Sequence, residues 1–430
     1  MLAFIIKNKL FKSTMAYTIA DALSKGVAFL TLPLVSSYIM PEELGIATNF
    51  EVLVSILSLL AGLAVVNALP YFYYERTKHE ISVLVSSLIS LILALNVFFA
   101  VLIMMFTGLL DSLLHLKLAF QIFSVVLVLS QLVSGINMVL FRLEEKPKAF
   151  VTFQLAQTMI YVVCLFLFVI HLRMEGAGKI YSLIVSYGVM VLIHFYCLYK
   201  RGILTLNISY DEIKTLLRFG IPLLPHSLSF WIKSGLDKVL ITAYCGLAAN
   251  GLYSMAMSFG AVYSIFVTAF NNAFVPYLQK RLNGMTEETE AHEKVRIVKL
   301  TYKIFGGFCG LYFIAVLFCW VSIKYLLDIR YSPSFQFIPW IILSLTITSF
   351  YSLVIQYPYT VKKTLGLGII TFSGSIVQFL LTFILIRNIG VDGIKYSLVL
   401  GALIIAGGVW WYSNKVYPMP WFGLKYLGQE

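Results

Sequence analysis

The chain has 430 residues, of which 60% belong to the apolar and aromatic class AVILMFWYC and only 12% are charged. Soluble globular proteins carry roughly 45–50% apolar residues, with Gly counted in, and about 25% charged residues. The composition therefore excludes an ordinary soluble fold and indicates a protein that crosses a membrane several times. In a soluble chain the net charge of +12 would suggest nucleic acid as a partner; here the charge must first be mapped by position.

The N-terminal residues 1–13 are predicted to form a short amphipathic segment. Lys7, Lys9 and Lys12 precede an apolar run that continues to Met40 without a small-residue cleavage site. This run is therefore predicted to be a first membrane helix and not a cleaved signal peptide. The five cysteines all lie in apolar stretches and form no Cys-x-x-Cys pair, which argues against a disulfide framework and against a zinc site.

Twelve stretches are long and apolar enough to cross the hydrocarbon core, which takes about 20 helical residues. They are predicted at 14–40, 46–73, 81–109, 118–141, 149–172, 179–199, 219–245, 250–278, 300–327, 336–361, 364–386 and 394–414. Only the connections at 200–218 and 279–299 are longer than a short polar joint, and neither is long enough for a soluble domain. The predicted fold class is an all-α polytopic membrane protein with twelve transmembrane helices.

Lysine and arginine are distributed unequally between the two sides that this count defines. The segments on the side of the N-terminus hold 21 of them, and the opposite loops hold 7. Because basic loops are retained in the cytoplasm, this ratio predicts that both termini are cytoplasmic. Attraction to anionic lipid headgroups accounts for most of the net charge, so nucleic acid is not predicted as a partner.

The two halves of the chain show signs of an internal repeat. At an offset of 206 residues, six identities within 38 ungapped positions pair Leu34, Tyr38, Gly45, Ser58, Pro70 and Tyr71 with Leu240, Tyr244, Gly251, Ser264, Pro276 and Tyr277. Parallel repeats are typical of transporters whose substrate site lies between two lobes. Chance matching between apolar segments is the alternative. The predicted organisation is an N-terminal lobe at 14–199, a cytoplasmic linker at 200–218, a C-terminal lobe at 219–414 and a cytoplasmic tail at 415–430.

Charged side chains inside the spans are the main candidates for a substrate site. Lys25 and Lys233 lie near the middle of the first and seventh spans, where an isolated lysine costs at least ~2.5–3.5 kcal/mol unless it faces a polar cavity. Each has an acid one helical turn away, because Asp21 precedes Lys25 and Asp237 follows Lys233 by four residues. Lys238 adds a second cation to span seven, and whether it faces a cavity or snorkels to the surface stays open.

Two interpretations of these charges are open. In the first, each acid neutralises its lysine and the pairs pin neighbouring helices. In the second, the cations line a central cavity and bind an anionic headgroup through Lys25, Lys233 and Lys238. Asp21 and Asp237 then balance the charge or take part in proton coupling. The second interpretation is favoured because the pairs occupy the first span of each predicted half.

Prolines in the same two spans are candidates for helix bending or gating. Pro33 lies in span one, and Pro222 and Pro225 flank the start of span seven. A proline inside a helix removes one backbone hydrogen bond, which a membrane tolerates where neighbours or cavity water satisfy the freed carbonyl. His226 has the chemistry of a proton switch, but a single histidine near a helix end is more often structural, and whether it faces the cavity stays open.

Several stretches of the chain resemble a known family. They are Tyr17-Thr18-Ile19-Ala20-Asp21-Ala22-Leu23-Ser24-Lys25, Pro41-Glu42-Glu43-Leu44-Gly45, Leu217-Arg218-Phe219-Gly220-Ile221-Pro222-Leu223-Leu224-Pro225, Trp231, Asp237-Lys238 and Asn250-Gly251-Leu252-Tyr253-Ser254. From about Lys12 to Lys415 the chain resembles the Wzx-type flippases of O-antigen and capsule units, in the multidrug/oligosaccharidyl-lipid/polysaccharide (MOP) exporter superfamily. The family usually has Asp-Arg where this chain has Asp237-Lys238, and lysine lacks the planar fork with which arginine binds phosphate bidentately.

The resemblance implies a MATE-like fold with two six-helix lobes, related by a pseudo-twofold axis, around a central cavity. It implies movement of an undecaprenyl-pyrophosphate-linked oligosaccharide from the cytoplasmic to the outer leaflet of the bacterial inner membrane. It also implies coupling to H⁺ or Na⁺ and no cofactor, which agrees with the lack of a Gly-x-x-x-x-Gly-Lys-Ser/Thr loop. The expected partners are the lipid-linked oligosaccharide, membrane lipids, and polysaccharide polymerase and export machinery. In this scheme Lys25 and Lys233 attract the pyrophosphate.

Two other functions are weighed against a flippase. An ion-coupled exporter of drugs or other organic solutes, from the same superfamily, is expected to place acids rather than lysines in its cavity. A membrane polysaccharide polymerase or glycosyltransferase is expected to present a sizeable outer loop with acidic or histidine residues, whereas loops such as 173–178 and 328–335 are short. The sequence therefore predicts a transporter and not an enzyme, without catalytic residues and without a metal site.

Overall fold

The structure, a computed structural model, describes residues 9–422 and, within them, all side chains except those of residues 9–15, 226, 287 and 288. Helices make up nearly all of this range, and it contains no β-strand. The predicted all-α architecture is thereby confirmed for the described chain. The predicted N-terminal segment 1–13 and the predicted tail 415–430 each lie partly outside the described residues.

The helices follow one another with short connections. The α-helices are α1 (Lys9–Leu30), α2 (Leu32–Tyr38), α3 (Pro41–Gly62), α4 (Leu69–Phe72), α5 (Lys78–Met105), α6 (Thr107–Leu114), α7 (Leu118–Leu143), α8 (Pro147–Leu165), α9 (Glu175–Lys200), α10 (Tyr210–Gly220), α11 (Leu224–Ser234), α12 (Leu236–Cys245), α13 (Leu247–Asn283), α14 (Glu287–Leu326), α15 (Ile338–Val354), α16 (Gln356–Thr360), α17 (Leu365–Ile389) and α18 (Asp392–Val416). Short 3₁₀ segments lie at Val65–Ala68, Ile221–Leu223 and Ile329–Gln336, and a π-helical segment extends α8 at Phe166–His171.

Eleven helical stretches within residues 9–422 are long and apolar enough to cross a membrane. The predicted span at 219–245 is not among them. It consists of α11, with 11 residues, and α12, with 10 residues, and it carries Lys233, Asp237 and Lys238. The division falls at Gly235, where the indole of Trp231 packs so closely that a Cβ would lie 2.9 Å from two ring atoms. The predicted seventh span is therefore formed by two short helices that meet at Gly235.

The two longer connections are also more helical than their polar composition indicated. The predicted connection at 279–299 is mostly the end of α13 and the start of α14, which are separated by residues 284–286 alone. Ion pairs support these helical extensions: Arg281 lies 2.6 Å from Glu293, and Lys294 lies 2.7 Å from Glu290. The predicted linker at 200–218 contains most of α10.

The chain divides into two compact units, Met1–Ser254 and Met255–Glu430. The first unit has apolar clusters around Phe50 and Leu88. The second has a cluster around Tyr357 and Trp421. The seventh predicted span packs within the first unit. The division into lobes at 14–199 and 219–414 and the cavity between them stay predictions.

Equivalent glycines of the proposed repeat meet each other within the first unit. Gly45 of α3 packs against the backbone of Leu247, and Gly251 of α13 packs against the backbone of Pro41, so that a Cβ on either glycine would overlap the opposing carbonyl oxygen. The contacts are reciprocal, because Pro41 and Leu247 are separated by the same 206 residues as the two glycines. Reciprocal contacts of this kind are characteristic of a two-fold relationship, and small residues allow helix backbones to approach closely in membranes.

Candidate functional site

The acid of the first span does not pair with the lysine one turn later. The carboxylate of Asp21 lies 3.7 Å from the guanidinium of Arg142, at the end of α7. Arg142 is also stacked over the ring of Phe150, 4.5 Å from its centroid. Both members of the pair are about half exposed, so the pair adds little stability. The spacing suggested an i, i+4 ion pair of Asp21 with Lys25. This pair does not form, and the carboxylate of Asp21 contacts Arg142 instead.

Lys25 is exposed and forms no ion pair or hydrogen bond with the described part of the chain. Its neighbour Ser24 faces α8, where its hydroxyl accepts from Thr158 at 3.0 Å and from Gln154 at 3.3 Å. The helix is therefore held against α8 through Ser24, while the amine of Lys25 stays available.

The first span is interrupted near Pro33. Helix α1 ends at Leu30 and α2 begins at Leu32, with Thr31 between them. The hydroxyl of Thr31 donates to the carbonyl of Ala28 at 2.7 Å. The hydroxyl of Ser36 donates to the carbonyl of Pro33 at 2.8 Å. Both are local side-chain bonds to the carbonyl three residues earlier, of a kind that often accompanies a bend in a helix.

The prolines of the seventh span lie at its beginning rather than inside a helix. Pro222 is in the 3₁₀ segment Ile221–Leu223, and Pro225 is in the first turn of α11. A proline in the first turn replaces an N–H that would have no intrahelical partner, so it costs the helix little. The side chain of His226 lies outside the described residues. The gating roles of Pro33, Pro222 and Pro225 stay predictions.

The charges of the seventh span lie on opposite sides of the Gly235 break. Lys233 lies in the last turn of α11, and Asp237 lies in the first turn of α12. Asp237 is buried and accepts a 2.5 Å hydrogen bond from the phenol of Tyr253 and a 2.8 Å bond from the backbone N–H of Lys238. Residues four apart face each other only along a continuous helix. The expected pairing of Lys233 with Asp237 does not form, because the break removes this geometry and Tyr253 takes the carboxylate.

Two of the three predicted headgroup cations, Lys25 and Lys233, are without an acidic partner in the part of the chain that the structure describes, whereas Lys238 lies next to Asp237 and acts on its charge. Lys233 and Lys238 are partly buried, whereas Lys25 is exposed. None of them forms an ion pair or a side-chain hydrogen bond there. The i, i+4 ion pairs of the first interpretation therefore do not form within the described residues. The headgroup role itself stays a prediction.

The sequence assigned no role to a buried polar cluster that joins α3, α12 and α13. The side-chain oxygen of Asn49 accepts from Thr242 at 3.1 Å and from Asn250 at 2.9 Å, and its amide nitrogen donates to the carbonyl of Leu114 at 2.8 Å. Asn49, Thr242 and Asn250 are all buried. The signal was present in the stretch Asn250-Gly251-Leu252-Tyr253-Ser254, in which Asn250 contacts α3 and Tyr253 contacts α12.

A charge pair inside the membrane region was also missed. Lys179, at the start of α9, lies 2.8 Å from Glu51 of α3. Glu51 falls within the predicted second span but was not counted among the membrane charges. Because the partners are 128 positions apart, spacing along the chain carries no sign of the pair.

A polar cavity of about 370 Å³ lies among α7, α8 and α9. Its lining includes three glutamines, Ser134, Arg142 and His194. His194 is buried, and its Nδ1 lies 2.9 Å from the amide nitrogen of Asn137, whose oxygen accepts from Arg201 at 2.8 Å. A chain of side chains therefore links this cavity to Arg201 at the end of α9. Within the described residues no group of three His, Cys, Asp or Glu side chains is placed to hold a metal ion.

Comparison with known proteins assigns the chain to a family. Residues 10–281 match the sequence profile of the family described as "Polysaccharide biosynthesis protein". The chain belongs to this family. The resemblance noted in the sequence is thereby confirmed, and the match covers the first unit and the start of the second.

Two relatives come from Haemophilus influenzae. The chain is 22% identical over 284 residues to Lsg locus putative protein 1, and this alignment covers 64% of this chain and 67% of that protein. It is 22% identical over 277 residues to an uncharacterized membrane protein, which covers 64% of this chain and 66% of the relative. Each alignment spans about two thirds of the relative's length.

Solved structures of similar fold are transport proteins. An inward-facing multidrug resistance MATE family transporter of the MOP superfamily superposes with a TM-score of 0.72 at 16% identity, covering 92% of this chain and 94% of the other. The lipid II flippase MurJ, in an inward closed conformation, gives 0.71 at 13% identity, covering 93% and 87%. At these identities the likeness establishes the fold. The predicted MATE-like fold is confirmed, and the chain is a multi-pass membrane protein with a transporter fold.

Proposed function

We propose that this protein is a flippase that moves an undecaprenyl-pyrophosphate-linked oligosaccharide from the cytoplasmic to the outer leaflet of the bacterial inner membrane. The observation that carries the proposal is Lys233, a partly buried cation at the predicted middle of the membrane without an acidic partner in the described chain. Such a lysine costs at least ~2.5–3.5 kcal/mol unless water or an anion faces it. A pyrophosphate headgroup supplies that anion.

The family supports the polysaccharide side of the proposal, since the chain belongs to the polysaccharide biosynthesis proteins. One protein of the same fold is named a lipid II flippase, and another is named a multidrug resistance transporter. A lipid-linked substrate fits the unpaired lysines better than a cationic drug does. The lysines attract an anionic headgroup and repel a cation.

The proposed roles follow from the environment of each residue. Lys25, Lys233 and Lys238 attract the pyrophosphate as the polar glycan crosses through water and the lipid tail stays in the bilayer. Asp237, buried against Tyr253, takes the coupling role for H⁺ or Na⁺, and Asp21, held by Arg142, balances charge. Both termini are cytoplasmic in this scheme.

The proposal is tested in a bacterial strain whose surface polysaccharide depends on this gene. Lys25→Ala and Lys233→Ala are expected to abolish or strongly reduce the polysaccharide at normal protein abundance, and Lys233→Arg is expected to retain part of it because the charge remains. Lys303→Ala is the matched control, since Lys303 is exposed on α14 and lies within one turn of the predicted membrane edge. Normal polysaccharide in both alanine variants would sink the headgroup assignment.

The drug exporter is the second candidate, and the fold shared with the MATE transporter favours it. It predicts that loss of the gene increases susceptibility to cationic drugs while the surface polysaccharide stays intact. The flippase predicts the reverse. Measuring both phenotypes in one deletion strain separates the two functions.

A further inference from the structure

A second polar cavity, distinct from the mid-membrane lysines, opens at one edge of the first unit. It is a cleft of about 630 Å³. Its walls are the connection between α4 and α5, the connection between α7 and α8, and the residues that follow α9. The distribution of lysine and arginine predicts that all three connections are cytoplasmic. The cleft therefore lies where the headgroups of the inner leaflet meet the protein.

Four basic side chains line this cleft and outnumber the acids in contact with them. The guanidinium of Arg201 forms an ion pair with Glu144, whose other oxygen lies 2.8 Å from Lys146. Arg76 lies 2.6 Å from Glu212. Together with Lys78, the lining of the cleft holds four cations and one carboxylate, that of Glu144, while Glu212 pairs with Arg76 from outside the lining.

Lys78 is the cation that remains without a partner. It is the first residue of α5, is exposed, and forms no ion pair or hydrogen bond within the described residues. Its amine lies 4.0 Å from the position that a Cβ on Gly202 would occupy, so the side chain reaches across the cleft. A bound anion gains this charge without displacing an existing partner.

The two arginines are held in place by contacts other than their ion pairs. The guanidinium of Arg201 donates to Asn137 at 2.8 Å and lies over the ring of Phe141, 5.1 Å from its centroid. The guanidinium of Arg76 lies over the ring of Phe72 at 5.3 Å. Because these side chains are already ordered, an anion that binds them loses less conformational entropy than on a mobile surface.

We propose that this cleft is a binding site for phosphate esters at the membrane surface, with Lys78, Lys146, Arg76 and Arg201 as its donors. The shared chemistry is a phosphate or diphosphate diester, whose oxygens accept charge-assisted hydrogen bonds from guanidinium and ammonium groups. The source is either the diphosphate of a lipid-linked substrate before it enters the membrane or the headgroup of an anionic phospholipid. The first source rests on the proposed function, whereas phosphate binding itself does not.

The binding test uses the full chain in phosphatidylcholine nanodiscs, titrated calorimetrically with inorganic pyrophosphate. The double variant Lys78→Gln/Lys146→Gln is expected to bind at least about tenfold more weakly, because two charge-assisted contacts are lost. The matched control is Lys148→Gln/Lys200→Gln, which removes the same charge from exposed side chains on the same predicted face but outside the cleft. The control is expected to bind as the unmodified chain does.

A second set of nanodiscs contains phosphatidylglycerol or cardiolipin, and retained lipid is measured by native mass spectrometry. Retention that depends on Lys78 and Lys146 and competes with pyrophosphate identifies an anionic phospholipid as the occupant. Pyrophosphate binding that anionic lipid leaves unchanged identifies the diphosphate of a substrate. If both ligands are equally insensitive to the cleft pair and the control pair, the site does not exist.

The outcome is separable from that of the proposed function. The proposed function is tested by the surface polysaccharide of Lys25 and Lys233 variants. The cleft is tested by ligand binding to Lys78 and Lys146 variants. Weak binding in the cleft variant together with normal polysaccharide in the deletion strain would support the cleft and reject the flippase assignment.

Discussion

The phenol of Tyr253 donates a 2.5 Å hydrogen bond to the carboxylate of Asp237, and both residues are buried. The bond joins the first turn of α12 to the early part of α13, sixteen residues later in the chain. Asp237 is therefore oriented by a neutral donor on the following helix. Its nearest lysine by helical spacing, Lys233, is left available for another anion.

Replacing Tyr253 by phenylalanine removes the donor and leaves a buried carboxylate with one hydrogen bond fewer. We expect the free energy of unfolding to fall by about 1–3 kcal/mol, the cost of leaving a buried polar group unsatisfied. Thermal unfolding of the purified protein in detergent measures the change. Tyr196→Phe is the control, because Tyr196 is 63% exposed. Equal melting temperatures for the two variants would contradict the structural role of the bond.

The crossing of α3 and α13 predicts a strong effect from adding a single methyl group. Gly45→Ala or Gly251→Ala places a Cβ against an opposing carbonyl oxygen, so the helices must separate. Overpacking of this kind typically costs about 1–3 kcal/mol. We expect less folded protein in the membrane, measured by size-exclusion chromatography of a fluorescent fusion. Gly188→Ala, where no atom lies within 4 Å of the added Cβ, is expected to express normally.

The contacts of Asn137 define the tautomer of His194. Arg201 donates to the amide oxygen of Asn137, so the amide nitrogen must be the atom 2.9 Å from Nδ1 of His194. Because an amide nitrogen only donates, Nδ1 accepts and carries no proton, and the ring proton is on Nε2. Nitrogen NMR of histidine-labelled protein, assigned with His194→Gln, is expected to show this tautomer. A proton on Nδ1 would show that the amide is oriented the other way.

The pH dependence of one surface contact follows from Asp328, which lies outside the membrane-spanning helices. Side-chain and backbone hydrogen bonds from Arg330 lower the pKa of the Asp328 carboxyl below its ordinary value. A pKa lowered by folding gives stability that is present above the unfolded pKa and is lost as the pH falls through the folded pKa.

The Arg330→Gln variant is therefore expected to raise the pKa of Asp328 towards its ordinary value. Carbon NMR of aspartate-labelled protein measures it, with Asp328→Asn to assign the signal. Lys324→Gln is the control, because Lys324 stacks on Trp320 and Tyr325 and is not among the groups that act on Asp328. A shift of equal size in the control would assign the effect to general surface charge.

Features that depend on local composition could be predicted from the sequence. Apolar length located eleven of the spans, since a membrane helix needs about 20 apolar residues and little else. The offset of 206 residues paired Gly45 with Gly251, and the structure places each of these glycines against the backbone of another helix. The cationic candidates were found because a lysine in a long apolar run is conspicuous.

Features that depend on tertiary contacts could not be predicted from the sequence. The helical spacing of Lys233 and Asp237 suggested a pair, but the spacing rule assumes a continuous helix, and Gly235 interrupts it. Asp21 forms an ion pair with Arg142, and Glu51 forms one with Lys179. In each pair the partner lies on another helix, so spacing along one helix does not predict the pair. The partner of a membrane charge is set by which helices pack together.

The interruption at Gly235 also has a bearing on topology. Eleven stretches of the described chain are long and apolar enough to cross, and eleven crossings, an odd number, would leave its two ends on opposite faces of the membrane. Counting α11 and α12 together as one crossing makes the number even and returns both ends to the same face. Reporter fusions before and after residues 224–245 would show on which face of the membrane each position lies. Reporters on opposite faces would show that the pair of half-length helices crosses the bilayer.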